Sequence, residues 1–243
     1  NDVVVSVFIA AITTVIFPML SKAFAQGDNE RLKEIMSQGI NIILLITVPA
    51  TIGLMILAKP LVRIFFERGE FNATDTLMTS SALFFYSLGL VSISLRLMLN
   101  KVFYSLQDTK TPMINGAISV GLNIVLNLIF VRVMAHSGLA LATSISTTFT
   151  SVMLFISLRK KIGSFGIKGY LKCLVKTLAA SLIMGVVVYF TFYGLTEIYE
   201  FTKTFEMLIL LLSIGLGALV YFILCLIFNV EELKVLLRGI LRR

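Results

Sequence analysis

Long apolar runs separated by short polar breaks set the pattern of this chain. Seven runs can be read, at residues 3–20, 40–57, 77–99, 113–134, 139–158, 171–195 and 205–228. A hydrocarbon core about 30 Å thick needs roughly 20 helical residues at about 1.5 Å per residue. The runs are of that length, so each is expected to cross a bilayer as a helix. The clearest break is Phe-Tyr-Ser-Leu-Gln-Asp-Thr-Lys-Thr-Pro at 103–112. Pro112 has no backbone N–H and suits the first turn of a new helix. The Asp-Thr-Lys-Thr before it offers a carboxylate or hydroxyl cap. The runs on either side therefore predict an antiparallel helical hairpin.

The other breaks follow the same logic. Residues 21–34 are polar with a Gly-Asp-Asn turn, 58–76 are charged and turn at Arg68-Gly69, 135–138 are very short, and 159–172 are basic. Pro49 lies inside the second run, where it frees a carbonyl and bends the helix, as a static bend or as a hinge. The tail, 230–243, repeats Leu233, Leu236, Leu237, Ile240 and Leu241 at helical spacing among cations. That pattern predicts a helix lying on the membrane surface.

Composition sharpens this picture. The chain is 58% hydrophobic, only 14% charged, and has a mean hydropathy of +0.97, beyond what a soluble domain carries. Its net charge of +8 could suggest nucleic acid, but the cations flank the apolar runs, as membrane topology requires. Of the 21 lysines and arginines, fifteen fall on one side of the seven crossings and five on the other, with Arg96 inside the third. The richer side, with the hairpin at 103–112 and the C-terminus, is expected to be cytoplasmic. Asn1-Asp2 leads straight into Val3-Val4-Val5, which reads as a piece of a longer chain.

Little in the sequence suggests catalysis. No nucleophile–base pair or phosphate-cradling glycine loop is readable, so no enzyme and no catalytic residue is expected. Cys173 and Cys225 form no metal or disulfide pattern and read as packing residues. His136 has no ligand cluster around it. Gly215 and Gly217 suit close helix approach.

The informative polar residues lie inside the runs. Asn115, Ser119, Asn123 and Asn127 recur every four residues, drifting only about 40° per step, so they form one stripe on the fourth run. An amide in lipid is costly without partners. The stripe is either an interhelical hydrogen-bond seam or the wall of a hydrated cavity or cation site. The fifth run supplies Thr143, Ser144, Ser146, Thr147, Thr148, Thr150 and Ser151. These hydroxyls can bond their own backbone or offer oxygens to a hard cation such as sodium. Arg96 either snorkels to the interface or pairs with a phosphate in a cavity.

Four strings taken together resemble a known family: Phe-Pro-Met-Leu-Ser-Lys-Ala-Phe-Ala-Gln-Gly-Asp at 17–28, Glu-Arg-Gly-Glu-Phe-Asn-Ala-Thr-Asp-Thr at 67–76, the hairpin at 103–112, and His-Ser-Gly-Leu-Ala-Leu-Ala-Thr-Ser-Ile-Ser at 136–146. In order and spacing they look like the MviN/MurJ family of lipid II flippases, in the multidrug/oligosaccharidyl-lipid/polysaccharide exporter (MOP) superfamily. The likeness covers roughly 1–161. It implies an all-α integral membrane protein of about seven transmembrane helices, resembling the second lobe of a MOP-type flippase plus two extra C-terminal helices. Residues 1–161 would be part of that C-lobe, 162–229 the two additional spans, and 230–243 an interfacial tail.

The resemblance also implies a function. The family moves lipid-linked peptidoglycan precursor from inner to outer leaflet by alternating access, through a cationic cavity, with the extra helices forming a groove for the polyprenyl tail. The implied setting is the bacterial cytoplasmic (inner) membrane, crossed several times. The implied partners are lipid II, membrane lipids and the remaining N-terminal half, with no nucleic acid. Arg96, Asn115 and Ser119 are then candidate substrate-binding residues. Some members resemble sodium-coupled exporters, and Asn123, Asn127 and Thr143 occupy what look like those ion-site places. No other cofactor is expected. Asn127 stands where that pattern has an acid, which weakens sodium binding. Two alternatives stay open: a related polysaccharide-lipid or drug exporter, and a non-transporting scaffold for cell-wall enzymes.

Overall fold

The computed structural model describes residues 9–198, 203–230 and 232–233. They form α1 (Ala10–Ala25), α2 (Asn29–Phe66), α3 (Ala73–Leu88), α4 (Leu90–Ser105), α5 (Lys110–Met134), α6 (His136–Ile162), α7 (Ile167–Ile198) and α8 (Lys203–Ile227). Among the described residues, helices α2, α5, α6, α7 and α8 are long and apolar enough to cross a membrane, and α3 with α4, bent by 44°, has the length and apolarity of a sixth when taken as one broken span. Helix α1 has 16 residues. The fold is thus an all-α membrane architecture in the order expected from the apolar runs. The beginning of the first run, at 3–8, and the tail beyond Leu233 lie outside the described residues.

Three boundaries differ from expectation. Helix α2 runs for 38 residues, about 57 Å at ~1.5 Å per residue, so much of both flanking breaks is helical. Its first turns leave the apolar zone and carry surface pairs, Arg31–Glu34 at 2.6 Å and Lys33–Glu30 at 3.0 Å. Asp28 caps it by accepting from the Arg31 N–H at 2.9 Å. The break at 135–138 shrinks to Ala135, with φ +48°. Gly138, three residues further on, admits the Phe130 carbonyl, which would stand 2.5 Å from a Cβ there.

The third run is the clearest departure, because it is two helices meeting at Gly89. The Gly89 N–H donates to Tyr86, three residues back, at 3.1 Å, which leaves the Phe85 carbonyl without its helical partner. The Ser144 hydroxyl of α6 donates to that carbonyl at 2.6 Å. A Cβ at Gly89 would lie 2.7 Å from Ser144 Oγ and 3.0 Å from its Cα, so only glycine lets α6 come this close.

The hairpin between α4 and α5 is capped as its sequence suggests. Asp108 accepts from the Thr111 N–H at 3.0 Å and the Thr111 hydroxyl at 2.8 Å, and Pro112 sits in the first turn of α5. Lys161, at the end of α6, donates to Asp108 at 2.6 Å. Lys161 and the two Thr111 donors hold the Asp108 carboxyl down at about 2, below its usual 3.8.

Helix α2 packs against α1, α3, α4, α7 and α8, while α6 packs against α3, α4 and α5. The larger core joins α1, α2, α4 and α6 through Leu20, Met36, Ile43, Met98, Phe103 and Leu154. A second, of Leu57, Met184, Val188, Phe192, Ile209 and Leu210, joins α2, α7 and α8. Chain leaving α8 turns back at Asn229, φ +55°, and buries Val230 and Leu233 against Leu45, Ala180 and Cys225. Asn41 donates to Glu232 at 2.6 Å there, so the described start of the tail packs onto α2.

Candidate functional site

Helices α5 and α6 meet along a polar seam. Antiparallel helices joined by a single residue must face each other, and the four-residue spacing on α5 puts its amides on one stripe. Asn115 and Ser119 are 5% and 6% exposed. Ser119 Oγ lies 3.5 Å from the Ser146 carbonyl. Asn123 Nδ2 donates to Ser146 Oγ at 3.2 Å and, more weakly, to Thr143 Oγ1 at 3.4 Å. Asn127 Nδ2 donates to Asn123 Oδ1 at 3.0 Å. Asn123, Asn127 and Thr143 are therefore brought together, with Ser146 as a fourth member that spacing alone did not single out. Interhelical bonds of this kind average about 0.6 kcal/mol each.

The seam is incompletely satisfied. Asn115 Nδ2 and Asn127 Oδ1 are buried without a hydrogen-bond partner, and so is Arg96 Nε on α4. Arg96 makes no hydrogen bond or ion pair among the described residues, and none links it to Asn115 or Ser119. It lies one helical turn beyond Ser92, whose hydroxyl meets Thr148 Oγ1 at 2.9 Å and whose carbonyl accepts from Ser151 at 2.7 Å.

For a cation, the oxygens of Asn123, Asn127 and Thr143 are all neutral. Asn127 Oδ1 alone of the three lacks a donor, since Asn123 Oδ1 and Thr143 Oγ1 accept from amide N–H groups. Neither α5 nor α6 contains a carboxylate. The set therefore fits a hard cation poorly with the amides turned this way.

A second polar line was not foreseen. It joins α6 to α3 and α4 through Ser81–Ser137 at 2.6 Å, Ser144 to Phe85, Ser92–Thr148, and Ser151 to Ser92. The only signal for it was the density of hydroxyls in α6.

On the far side of α2 an apolar cleft of about 450 Å³ opens among α2, α7 and α8, lined by Pro49, Gly53, Leu57, Met184, Gly217 and Tyr221 among others. Beside it Gly217 lets α8 approach α7 closely, since a Cβ would stand 2.5 Å from Val188 Cγ2, whereas nothing lies within 4 Å of one at Gly215. Two tyrosines fasten these helices to α2. Pro49 and Pro60 each deprive the residue four back of a helical N–H. The Leu45 carbonyl accepts from Tyr221 at 2.7 Å and the Ile56 carbonyl from Tyr193 at 3.3 Å. Cys173 and Cys225 are buried free thiols. His136 lines an open cavity together with Glu70 and Asp75, but no group of three His, Cys, Asp or Glu able to hold a metal occurs among the described residues.

The sequence and the helical architecture have parallels among known proteins. A family profile described as "Lipid II flippase MurJ" matches residues 2–212. A probable lipid II flippase MurJ of Vibrio cholerae is 41% identical over 145 residues, 60% of this chain and 28% of that protein. The lipid II flippase MurJ of Thermosipho africanus is 31% identical over 221 residues, 91% of this chain and 42% of that protein. A solved structure of lipid II flippase MurJ in an inward closed conformation superposes with a TM-score of 0.75 at 31% identity, covering 94% of this chain and 45% of that one. The chain thus spans less than half the length of these relatives. With its profile match, helix order and superposition in agreement, the chain belongs to the MurJ family of lipid II flippases.

Proposed function

We propose that this chain is the second half of a transporter that carries lipid II from the inner to the outer leaflet of the bacterial cytoplasmic membrane by alternating access. The observation that carries the reading is the set of polar atoms left unpartnered inside membrane-crossing helices, Arg96 Nε and Asn115 Nδ2. Buried donors nearly always find acceptors, and an amide without one in an apolar setting costs on the order of 2–7 kcal/mol. A hydrated, diphosphate-bearing headgroup passing between this half and the N-terminal half supplies such acceptors. Arg96 then pairs with phosphate, Asn115 donates to a headgroup oxygen, and Ser119 flanks it. The apolar cleft of α2, α7 and α8 takes part of the polyprenyl tail.

Transport leaves the substrate covalently unchanged, so no residue is assigned to catalysis. The cation balance supports a cytoplasmic C-terminus. Membrane lipids cover the outer face of α5. Asn123, Asn127 and Thr143 serve helix pairing in this conformation. A voltage across the membrane, worth about 2.3 kcal/mol per charge per 100 mV, acts on a charged headgroup without a bound ion.

The test reconstitutes the intact protein and follows labelled lipid II between leaflets, with Arg96→Gln beside the parent. Movement by the parent and at least a tenfold loss in R96Q support the reading. Movement of another lipid-linked sugar in place of lipid II would make the protein a related exporter. Full cell-wall function with R96Q and no lipid movement would make it a scaffold.

A further inference from the structure

A second seam, distinct from the apolar cleft, runs along α2 and α7. Ile52, Ile56, Lys59 and Arg63 recur at i, i+4, i+7 and i+11, so they share one stripe of α2. The cleft facing α8 uses Pro49, Gly53, Leu57 and Leu61, about a third of a turn away. Leu182, Gly185, Tyr189, Tyr193 and Thr196 make the matching stripe on α7. Along the lower part of this seam lies an apolar groove of about 280 Å³, between Ile52 and Ile56 on one wall and Gly185, Val186 and Tyr189 on the other. Directly above it, and sharing Tyr189, a pocket of about 400 Å³ is lined by Lys59, Arg63, Tyr193, Thr196 and Glu206.

We infer that this seam seats one anionic phospholipid, its phosphodiester between Lys59 and Arg63 and an acyl chain in the groove below. Three observations choose that occupant. First, the pocket carries a single net positive charge: Arg63 stands 3.3 Å from Glu206, while Lys59 has no hydrogen bond or ion pair among the described residues. One phosphodiester monoanion brings the group to neutrality, whereas a zwitterionic lipid does not and a diphosphate overshoots.

Second, the depth matches one leaflet. Ile52 to Arg63 spans about 16 Å of helix, against roughly 15 Å for half a hydrocarbon core. Third, the cationic end coincides with the membrane boundary. Arg63 lies in the last turn of α2, and Lys203, at the start of α8, donates to the Glu67 backbone carbonyl. The pocket is therefore at headgroup level, where lysine and arginine meet lipid phosphate.

The experiment titrates the delipidated intact protein in neutral detergent with phosphatidylglycerol, and separately with phosphatidylcholine, reading bound lipid by native mass spectrometry. The expected result is one saturable phosphatidylglycerol, weakened about fivefold for each of K59Q and R63Q and about 25-fold for both. E206Q should tighten it by releasing Arg63, and R132Q, a cation on another helix end, should leave it unchanged. Because E206Q acts in the opposite direction, loss of folding in the double variant cannot mimic the pattern. Equal binding of the two lipids, or equal weakening by R132Q and K59Q, would overturn the proposal. So would displacement of phosphatidylglycerol by stoichiometric lipid II, which would make the seam part of the transport route.

Discussion

Tyr221 donates its hydroxyl to the Leu45 carbonyl at 2.7 Å, the carbonyl that Pro49 strips of its N–H. Tyr193 does the same for Ile56, four residues before Pro60. The two prolines thus create acceptors on α2, and the two C-terminal helices each bring one donor. In a lipid setting such a carbonyl has no water to turn to, so the defect and its repair specify how α7 and α8 dock.

This relationship predicts a coupling. Tyr221→Phe leaves the Leu45 carbonyl buried and unpaired, at a cost of about 1–3 kcal/mol. Pro49→Ala restores an N–H to that carbonyl. A double-mutant cycle by equilibrium unfolding in mixed micelles should therefore show Y221F costing clearly less in the P49A background. Equal costs in both backgrounds would show that the tyrosine acts by packing alone.

Gly89 makes a second test. Gly89→Ala places a methyl against the Ser144 backbone, where a side chain cannot simply swing aside. The expected destabilisation is about 1–3 kcal/mol, the usual cost of overpacking. Ser144→Ala removes the hydroxyl that serves Phe85 but relieves no crowding at the Ser144 Cα, so G89A/S144A should remain destabilised. Recovery to parent stability in the double variant would contradict the close approach.

The hairpin pair carries a pH dependence. Asp108 titrates at about 2 in the folded protein instead of 3.8. A lowered folded-state value means that its contribution is complete above about 3.8 and disappears as pH falls through about 2. The melting-temperature gap between parent and Asp108→Asn should therefore be constant from pH 7 to 5 and close between pH 4 and 2. A gap that persists at pH 2 would assign the effect to the backbone cap instead.

For the α5–α6 seam, the oxygen set predicts indifference to cation identity. Melting temperatures of the intact protein in sodium and in potassium should agree. Asn123→Ala should lower both equally, since it removes bonds to Ser146 and Thr143. A rise specific to sodium, abolished by Asn123→Ala, would show that the amides turn and the seam binds the ion.

The apolar runs made the helices and their order legible, because length and apolarity are what a bilayer demands of them. The Asn stripe was legible for the same reason: a four-residue repeat can point only one way on a helix. The bend at Gly89 was not, because one glycine in an apolar run is ordinarily tolerated, and here the break depends on Ser144, 55 residues later. Nor was the length of α2, whose ends satisfy helix formation with charged residues once they leave the lipid. The tyrosine partners were half visible. Proline fixes which carbonyl is freed, but only packing shows which hydroxyl arrives. Lys59, Arg63 and Glu206 come from two distant helices, and no local pattern connects them.

The most direct measurement places a photoreactive residue at Asn115 of the intact protein in membranes containing labelled lipid II. The account predicts a lipid II adduct that unlabelled lipid II competes away and that Arg96→Gln diminishes. Adducts with bulk phospholipid alone would contradict the claim that this polar face borders the headgroup's path.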